Sequence, residues 1–266
     1  MKIVVKIGGS LMKEGVPTAL IEDVASLAPS HQLVLVHGGG DVVTDYANRL
    51  GKEQKFVVSP EGIRSRYTDM ETAEIYQMVM SGLLAKRLVS ALSKAGQKGV
   101  SLSGADGRLL QGKRKTKLLI VDERGRKVAI EGGYTGKVVG VNAGLLDTLL
   151  SQGYVPVVSP VATGEAAEPL NVDGDRAAAS VATGARADLI VFLTNVDGLM
   201  LDEHLVTHLT RRSVLEAPED RVRDAEEGNG GGRGGRRRGK GGDNMLGEEG
   251  QPSDEGHRPR NMHGDR

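Results

Sequence analysis

Residues 2–10 read KIVVKIGGS, and this stretch decides the fold because it joins a short apolar run to a glycine turn. Val and Ile favour extended structure and make up most of the run, and Gly8 and Gly9 stop it. Lys6 lies inside the run, where a charged ammonium group is costly to bury unless it is paired or faces a ligand. The alternative for Lys6 is a solvated side chain at an exposed strand end. The stretch predicts a buried strand that ends in a glycine turn.

Strands and helices alternate up to about residue 209, which predicts an α/β fold whose mainly parallel sheet is sandwiched by helices. The predicted strands are residues 2–7, 33–36, 99–102, 154–159 and 188–194. The predicted helices are residues 17–27, 40–50, 69–95, 141–152 and 175–184, with Thr68 as the N-cap of the long third helix. Between residues 106 and 137 the pattern favours a hairpin with strands over 118–121 and 127–130.

The composition excludes several classes of protein. The chain has 266 residues, 38% of them hydrophobic, which suffices for one large α/β domain or two modest ones. Thirty-five basic residues balance thirty-five acidic ones, so the net charge points to neither nucleic acid nor an anionic membrane. The chain has no cysteine, which excludes disulfides, thiol nucleophiles and cysteine-ligated zinc. No apolar run approaches the length of a membrane span, and the N-terminus lacks signal-peptide features. We therefore expect a cytoplasmic protein with no membrane partner.

The last part of the chain has a different composition. Residues 211–266 contain thirteen glycines and eleven arginines but only six Leu, Ile, Val or Met residues, which is typical of disordered segments. The run over residues 228–242 resembles an arginine- and glycine-rich nucleic-acid-binding segment. Such sites stack bases on aromatic rings, and no aromatic residue follows Phe192, so we do not expect nucleic-acid binding. The alternatives are a flexible tail or sequence that does not belong to the fold.

Three glycine-rich turns follow predicted strands and are candidates for an anion site. They are Gly8-Gly9, Gly38-Gly39-Gly40 and the turn over residues 171–175, which enters a helix. A glycine turn lets backbone N–H groups approach an anion, and a following helix N-terminus adds its positive dipole end. Turns at the carboxyl ends of parallel strands, with Lys6 just before the first, predict a phosphate site. Neither the P-loop pattern nor GxGxxG is present, so the site belongs to neither common nucleotide-binding class.

Taken together, the motifs resemble those of the amino-acid kinase family. KIGGS, VHGGG, GIRSRYTD, SGLLAK, PLNVDGDRAAASVA and LTNVDGLM occur in the family's order and cover roughly residues 1–209. The match is closest to its acetylglutamate-kinase branch. The resemblance implies phosphorylation of a carboxylate with ATP, with magnesium carried by the nucleotide and no dedicated metal site in the protein. A carboxylate is already ionised at neutral pH, so no general base is required.

The resemblance also implies roles for single residues. Lys6 would stabilise the transition state and Asp175 would orient the lysine ammonium. Gly8, Gly9 and Gly39 would hold the phosphate, and the substrate would be bound by Gly39, Gly40, Arg64 and Asn171. A guanidinium suits a bidentate grip on the substrate's carboxylate-like end, although Arg64 could also form a surface ion pair. Asn171 could instead cap the turn that follows it.

Two motifs, GIRSRYTD and EGGYTGKV, resemble more closely the kinases of this branch that act on a carrier-bound substrate. There the amino group of 2-aminoadipate or glutamate is attached to the C-terminus of a small acidic carrier protein, LysW. The basic cluster over residues 113–117 would suit such a partner, or is a solvated hairpin face. The alternatives are a kinase of free acetylglutamate and a fragment that binds substrate or carrier but not ATP. The resemblance also makes a homo-oligomer an expectation.

The sequence departs from the family after about residue 210. Family members continue into a nucleotide-binding half with a Gly-Met-x-x-Lys element, whereas the only lysine after Lys137 is Lys240, inside RGKGG. We predict that residues 1–210 form the kinase domain, with the substrate half and the start of the nucleotide half. Residues 211–266 are then a glycine/arginine-rich tail. An out-of-frame translation of GC-rich coding sequence would give this composition, and a truncated homologue with a disordered tail is the alternative.

Overall fold

The fold is taken from a computed structural model, which describes residues 1–196, 198–201, 204–208 and 222–224. The strands are β1 (Lys2–Ile7), β2 (Gln32–His37), β3 (Phe56–Val58), β4 (Arg64–Arg66), β5 (Lys98–Leu102), β6 (Leu110–Arg114), β7 (Lys117–Val121), β8 (Lys127–Glu131), β9 (Gly136–Val141), β10 (Tyr154–Val158), β11 (Val161–Thr163), β12 (Pro169–Asn171), β13 (Leu189–Leu193), β14 (Leu199–Leu201), β15 (His204–Leu205) and β16 (Val222–Asp224). The α-helices are α1 (Thr18–Leu27), α2 (Gly40–Arg49), α3 (Met70–Gln77), α4 (Ala85–Lys94), α5 (Ala143–Ser151) and α6 (Gly174–Gly184).

The central sheet has the strand order β13-β1-β2-β10-β5, and every pair in it is parallel. β1 lies between β2 and β13, with Lys6 in register with Val36 and Phe192. The predicted α/β fold with a mainly parallel sheet is therefore confirmed. The carboxyl ends of β1 and β2 lie side by side, which brings the glycine turns after them to one edge of the sheet.

Helices cover both faces of this sheet, which explains why its strands are continuous apolar runs. Ile3, Ile7 and Leu35 pack on one face with α1–α4. Val4 and Val36, which alternate with them, pack on the other face with α5 and α6. Lys6 shares the face of Val4, because side chains two residues apart on a strand point the same way. The ammonium group of Lys6 is therefore directed to the side of α6.

The predicted long third helix is divided into α3, a π-helical turn (Met78–Leu84) and α4. Asp69, and not Thr68, is the N-cap of α3, since its carboxylate accepts a hydrogen bond from the Thr72 N–H at 2.8 Å. The prediction for Thr68 was wrong because its hydroxyl is engaged elsewhere, with the carbonyl of Arg66 and the side chain of Asn171.

A second, four-stranded sheet has the order β12-β11-β6-β9. The predicted helix over 141–152 begins only at Ala143, because the side chain of Asn142 caps it and the residues before the cap belong to β9. The predicted hairpin is confirmed as β7–β8, with Leu118 opposite Ile130. A further hairpin, β3–β4, carries Arg64 and was not predicted.

The last described strands form a small antiparallel sheet in the order β15-β14-β16. β16 lies in the segment for which a glycine/arginine-rich tail was predicted. The rest of residues 211–266 lies outside the described residues, as does much of the predicted nucleotide half. The domain boundary at residue 210 and the character of the tail therefore stay predictions. Among the described residues, no helix is long and apolar enough to cross a membrane.

Candidate active site

The turns after β1 and β2 contact each other through their backbones. The Gly8 N–H donates to the carbonyl of Leu193 and the Gly38 N–H to that of Ile7, each at 2.8 Å. A Cβ atom at Gly9 would lie 2.7 Å from the nitrogen of Gly39, and one at Gly38 would lie 2.7 Å from the nitrogen of Gly9. Real Cβ atoms do not come this close to a backbone nitrogen, so the contact requires glycine on both sides.

Gly39 joins the second turn to α2 in a conformation that requires glycine. Its φ of +148° lies in a region that side chains avoid, and a Cβ there would lie 2.1 Å from Cδ1 of Leu84 in the π-helical turn. Gly39 is the N-cap of α2 without a side chain to satisfy the first N–H groups. Unpaired N–H groups and the helix dipole favour an anion at such an end. The second turn is therefore suited to phosphate oxygens.

The structure brings the two predicted catalytic residues together. Nζ of Lys6 lies 2.9 Å from Oδ1 of Asp175, with 14% of the lysine side chain exposed and 58% of the aspartate. Asp175 lies in the first turn of α6, which is capped by Asp173 through a 2.9 Å hydrogen bond from the Arg176 N–H. The carboxylate thus holds a nearly buried ammonium group at the edge where the glycine turns meet.

His37 is fully buried behind the second turn. Its Nδ1 lies 2.9 Å from the carbonyl oxygen of Gly38, which only accepts, so Nδ1 carries the proton, and Nε2 lies 3.1 Å from the hydroxyl oxygen of Ser159. Burial lowers the pKa of His37 from 6.5 to about 4, against the opposing effect of the Gly38 carbonyl. His37 is therefore a neutral structural residue at physiological pH.

Arg64 projects from the β3–β4 hairpin and is exposed. Its guanidinium carbon lies 3.7 Å from the ring centroid of Phe56. No carboxylate of the described residues lies within salt-bridge distance of the Arg64 guanidinium. The alternative role of Arg64 in a surface ion pair is therefore not observed among these residues. The stacked guanidinium keeps its hydrogen-bonding edge available.

Two residues that sequence reasoning missed connect this hairpin to the neighbouring helices. Arg66 donates to the carbonyl of Gly40 at 2.8 Å and to the hydroxyl of Thr44 at 2.9 Å, both in α2. Lys52 closes the base of the hairpin through ion pairs with Asp69 at 2.8 Å and Glu71 at 2.6 Å. The second arginine of GIRSRYTD was the available signal for Arg66, since it follows Arg64 by two residues on the same strand.

Asn171 ends β12 one turn before α6. Its side-chain Nδ2 donates to the hydroxyl of Thr68 at 3.0 Å, and its backbone N–H donates to the carbonyl of Tyr134 at 2.9 Å. The cap of α6 is Asp173, so the alternative of Asn171 as a turn cap does not apply. Among the described residues, no group of three or more His, Cys, Asp or Glu side chains could hold a metal ion.

Comparison of the sequence with known protein families assigns the chain to one of them. The amino acid kinase family profile matches residues 1–235. The chain belongs to the amino acid kinase family. The [LysW]-aminoadipate/[LysW]-glutamate kinase of Metallosphaera sedula is 46% identical over 215 residues, which is 80% of each chain. The kinase of the same name from Saccharolobus islandicus is 44% identical over the same share of each chain.

Solved structures agree on the fold of this amino acid kinase. Smu.665 from Streptococcus mutans matches with a TM-score of 0.62 at 23% identity, over 81% of each chain. The N-acetylglutamate synthase of Neisseria gonorrhoeae matches with a TM-score of 0.61 at 24% identity, over 77% of this chain and 44% of its own. The family membership makes the protein a phosphotransferase.

The lowered pKa of His37 predicts a pH-dependent stability. Between pH 6.5 and about 4 the unfolded chain binds a proton at this residue and the folded chain does not, so the free energy of unfolding falls as the pH falls through this window. The full difference is about 3 kcal/mol. Urea unfolding of the wild type and of His37→Gln at pH 7 and pH 4.5 should show a smaller decrease in the variant. His31→Gln, at a partly exposed histidine, is the control, and equal decreases in all three proteins would contradict a buried neutral His37.

Proposed function

We propose that this chain phosphorylates, with ATP, the side-chain carboxylate of 2-aminoadipate, or of glutamate, whose amino group is attached to a LysW-like carrier protein. The product is an acyl phosphate. The observation that carries the proposal is the Lys6 ammonium group, held by Asp175 at the edge of the sheet where the two glycine turns meet. The relatives that share this sequence over 80% of their length are named as kinases of those two carrier-linked substrates.

The backbone around Gly9 and Gly38 fits a phosphate group. Both positions exclude a side chain, because a Cβ atom at either would collide with the backbone of the other turn. N–H groups are suited to phosphate oxygens, and the N-terminus of α2 adds its dipole at the same edge. Magnesium would arrive with the nucleotide and offset the charge of its phosphates.

The reaction needs no proton transfer. A carboxylate oxygen of the substrate forms a bond to the γ-phosphorus, the bond from that phosphorus to the bridging oxygen of ADP breaks, and ADP leaves with the electron pair. The obstacle is the approach of one anion to another, so the protein's part is positioning and charge stabilisation. Lys6 supplies a positive charge at the transferred group, and Asp175 fixes the direction of its ammonium. Neutral His37 takes no part.

Arg64 and Asn171 are the proposed substrate-binding side chains. The guanidinium of Arg64 is stacked on Phe56 and has two parallel N–H donors that match a carboxylate. Asn171 lies between the second sheet and α6, whose first turn holds Asp175. The β3–β4 hairpin, which Arg66 bonds to α2, would then present the guanidinium of Arg64 to the substrate.

The carrier would dock on the basic cluster carried by β6 and β7. Lys113, Arg114 and Lys117 are exposed on β6 and β7, and Arg114 lies over the ring of Tyr134 at 4.1 Å. An acidic protein would be attracted to these charges, which steer encounter more than they set affinity. Homo-oligomer formation and a cytoplasmic location stay predictions from the sequence.

Replacing Lys6 by alanine should lower turnover on the order of 10²–10³, because a cation at the site of developing charge is lost. The affinity for the loaded carrier should change little, since the proposed partner of Lys6 is the transferred phosphoryl group and not the carboxylate that Arg64 would hold. Steady-state kinetics and calorimetry separate the two quantities. Lys2→Ala is a matched control: Lys2 lies at the other end of β1 and pairs with Asp147 at 2.7 Å. Turnover of Lys6→Ala equal to that of Lys2→Ala would contradict the role.

Replacing Arg64 by alanine should weaken binding of the loaded carrier and leave kcat nearly unchanged, because its partner carboxylate is present before and during transfer. Arg64→Lys should restore affinity only in part, since an ammonium group cannot form the two-pronged contact. The control is Arg49→Ala, which removes an arginine that lies over Tyr46 and pairs with Asp45. Full restoration by lysine would argue against a bidentate contact.

A further inference from the structure

We infer that Thr68 is a positioning residue that fixes the orientation in which the Asn171 carboxamide faces the substrate. The inference rests on the proposed function, because it takes Asn171 as a substrate-binding side chain. Thr68 is not the helix cap that the sequence suggested. It is fully buried and lies where three separate motifs of the chain meet.

Thr68 closes a ring of hydrogen bonds with Tyr134 and Asn171. The backbone N–H of Tyr134 donates to the carbonyl of Thr68 at 2.7 Å. The backbone N–H of Asn171 donates to the carbonyl of Tyr134 at 2.9 Å, and Nδ2 of Asn171 donates to the hydroxyl of Thr68 at 3.0 Å. GIRSRYTD, EGGYTGKV and PLNVDGD each contribute one residue. The ring therefore joins the proposed substrate-binding segments to one another.

The direction of these hydrogen bonds determines the orientation of the amide. The hydroxyl of Thr68 has one proton, and it is donated to the carbonyl of Arg66 at 3.3 Å, a group that can only accept. Towards Asn171 the hydroxyl oxygen is therefore an acceptor, which requires the amide nitrogen on that side. Oδ1 and the second N–H of Asn171 are left for another partner. Without the hydroxyl, nothing in this ring would distinguish the two ends of the amide.

The same short segment links Asn171 to the phosphate side of the site. Arg64 precedes Thr68 by four residues, and between them the guanidinium of Arg66 donates to the carbonyl of Gly40 at 2.8 Å. A displacement at Thr68 would therefore disturb the carboxylate-binding hairpin and the second glycine turn together. The close fit at Thr68 also depends on Gly133, where a Cβ would lie 2.3 Å from the Thr68 carbonyl oxygen.

The test compares Thr68→Val, which has nearly the same shape but no hydroxyl, with Thr68→Ser, which keeps the hydroxyl. The affinity of the full chain for carrier loaded with 2-aminoadipate should fall roughly tenfold in Thr68→Val, the order expected for one lost hydrogen bond. Thr68→Ser should recover most of it. In the Asn171→Ala background, Thr68→Val should lower the affinity for the loaded carrier little further, because the hydroxyl acts through Asn171. Thr148→Val, whose hydroxyl bonds the Gly144 carbonyl in α5, is the control and should bind as the wild type does.

A second readout needs no substrate. The side-chain NH₂ resonances of Asn171 should shift in Thr68→Val and keep their wild-type positions in Thr68→Ser. Unshifted resonances in Thr68→Val, or additive losses of affinity in the double variant, would overturn the positioning role. If wild-type protein fails to bind loaded carrier while these resonances still respond to Thr68→Val, the proposed function fails and the hydrogen-bonded ring stands.

Discussion

The close approach of two backbone segments is the constraint on which the rest of the site depends. Gly9 and Gly38 follow neighbouring parallel strands, and neither has room for a Cβ atom, since one at Gly9 would meet the nitrogen of Gly39 and one at Gly38 would meet the nitrogen of Gly9. The contact fixes where the N-terminus of α2 lies relative to β1, and therefore where N–H groups lie relative to Lys6. A side chain at either glycine would have to separate the turns, which would move the dipole of α2 away from the lysine.

Charge at the site is arranged for the transfer of a phosphoryl group between anions. Lys6 is almost buried and paired with an exposed carboxylate, so its charge is held at the edge of the sheet without being neutralised by a buried partner. Burial keeps His37 neutral behind the turn, so this side chain adds no charge to the site near pH 7. The segment from Arg64 to Thr68 is bonded to α2 through Arg66 and to Asn171 through Thr68, and its proposed role is to order the substrate.

Elements with a strong local pattern could be predicted from the sequence, and short elements without such a pattern could not. The apolar runs in the sequence predicted the strands of the central sheet, and the glycines that follow them predicted the turns after β1 and β2. β6 pairs with the distant strand β9, and β12 is a three-residue strand that pairs with β11, so no local periodicity marks either of them. Thr68 was assigned to a cap because its type suits one, but a buried hydroxyl follows its hydrogen-bond partners, and Asn171 lies 103 residues away. The proposed role of Arg64 came from the resemblance to the family, whereas the hydrogen bonds from Arg66 to α2 became visible only in the structure.

The most direct measurement of the central claim is chemical trapping of the product. The full chain is incubated with ATP, magnesium and carrier loaded with 2-aminoadipate in the presence of hydroxylamine, and the carrier is analysed by mass spectrometry. An acyl phosphate reacts with hydroxylamine, so a hydroxamate should form on the aminoadipate side chain only when ATP is present. Hydroxamate formed from free acetylglutamate but not from the loaded carrier, or ATP hydrolysis with no hydroxamate on either, would contradict the account.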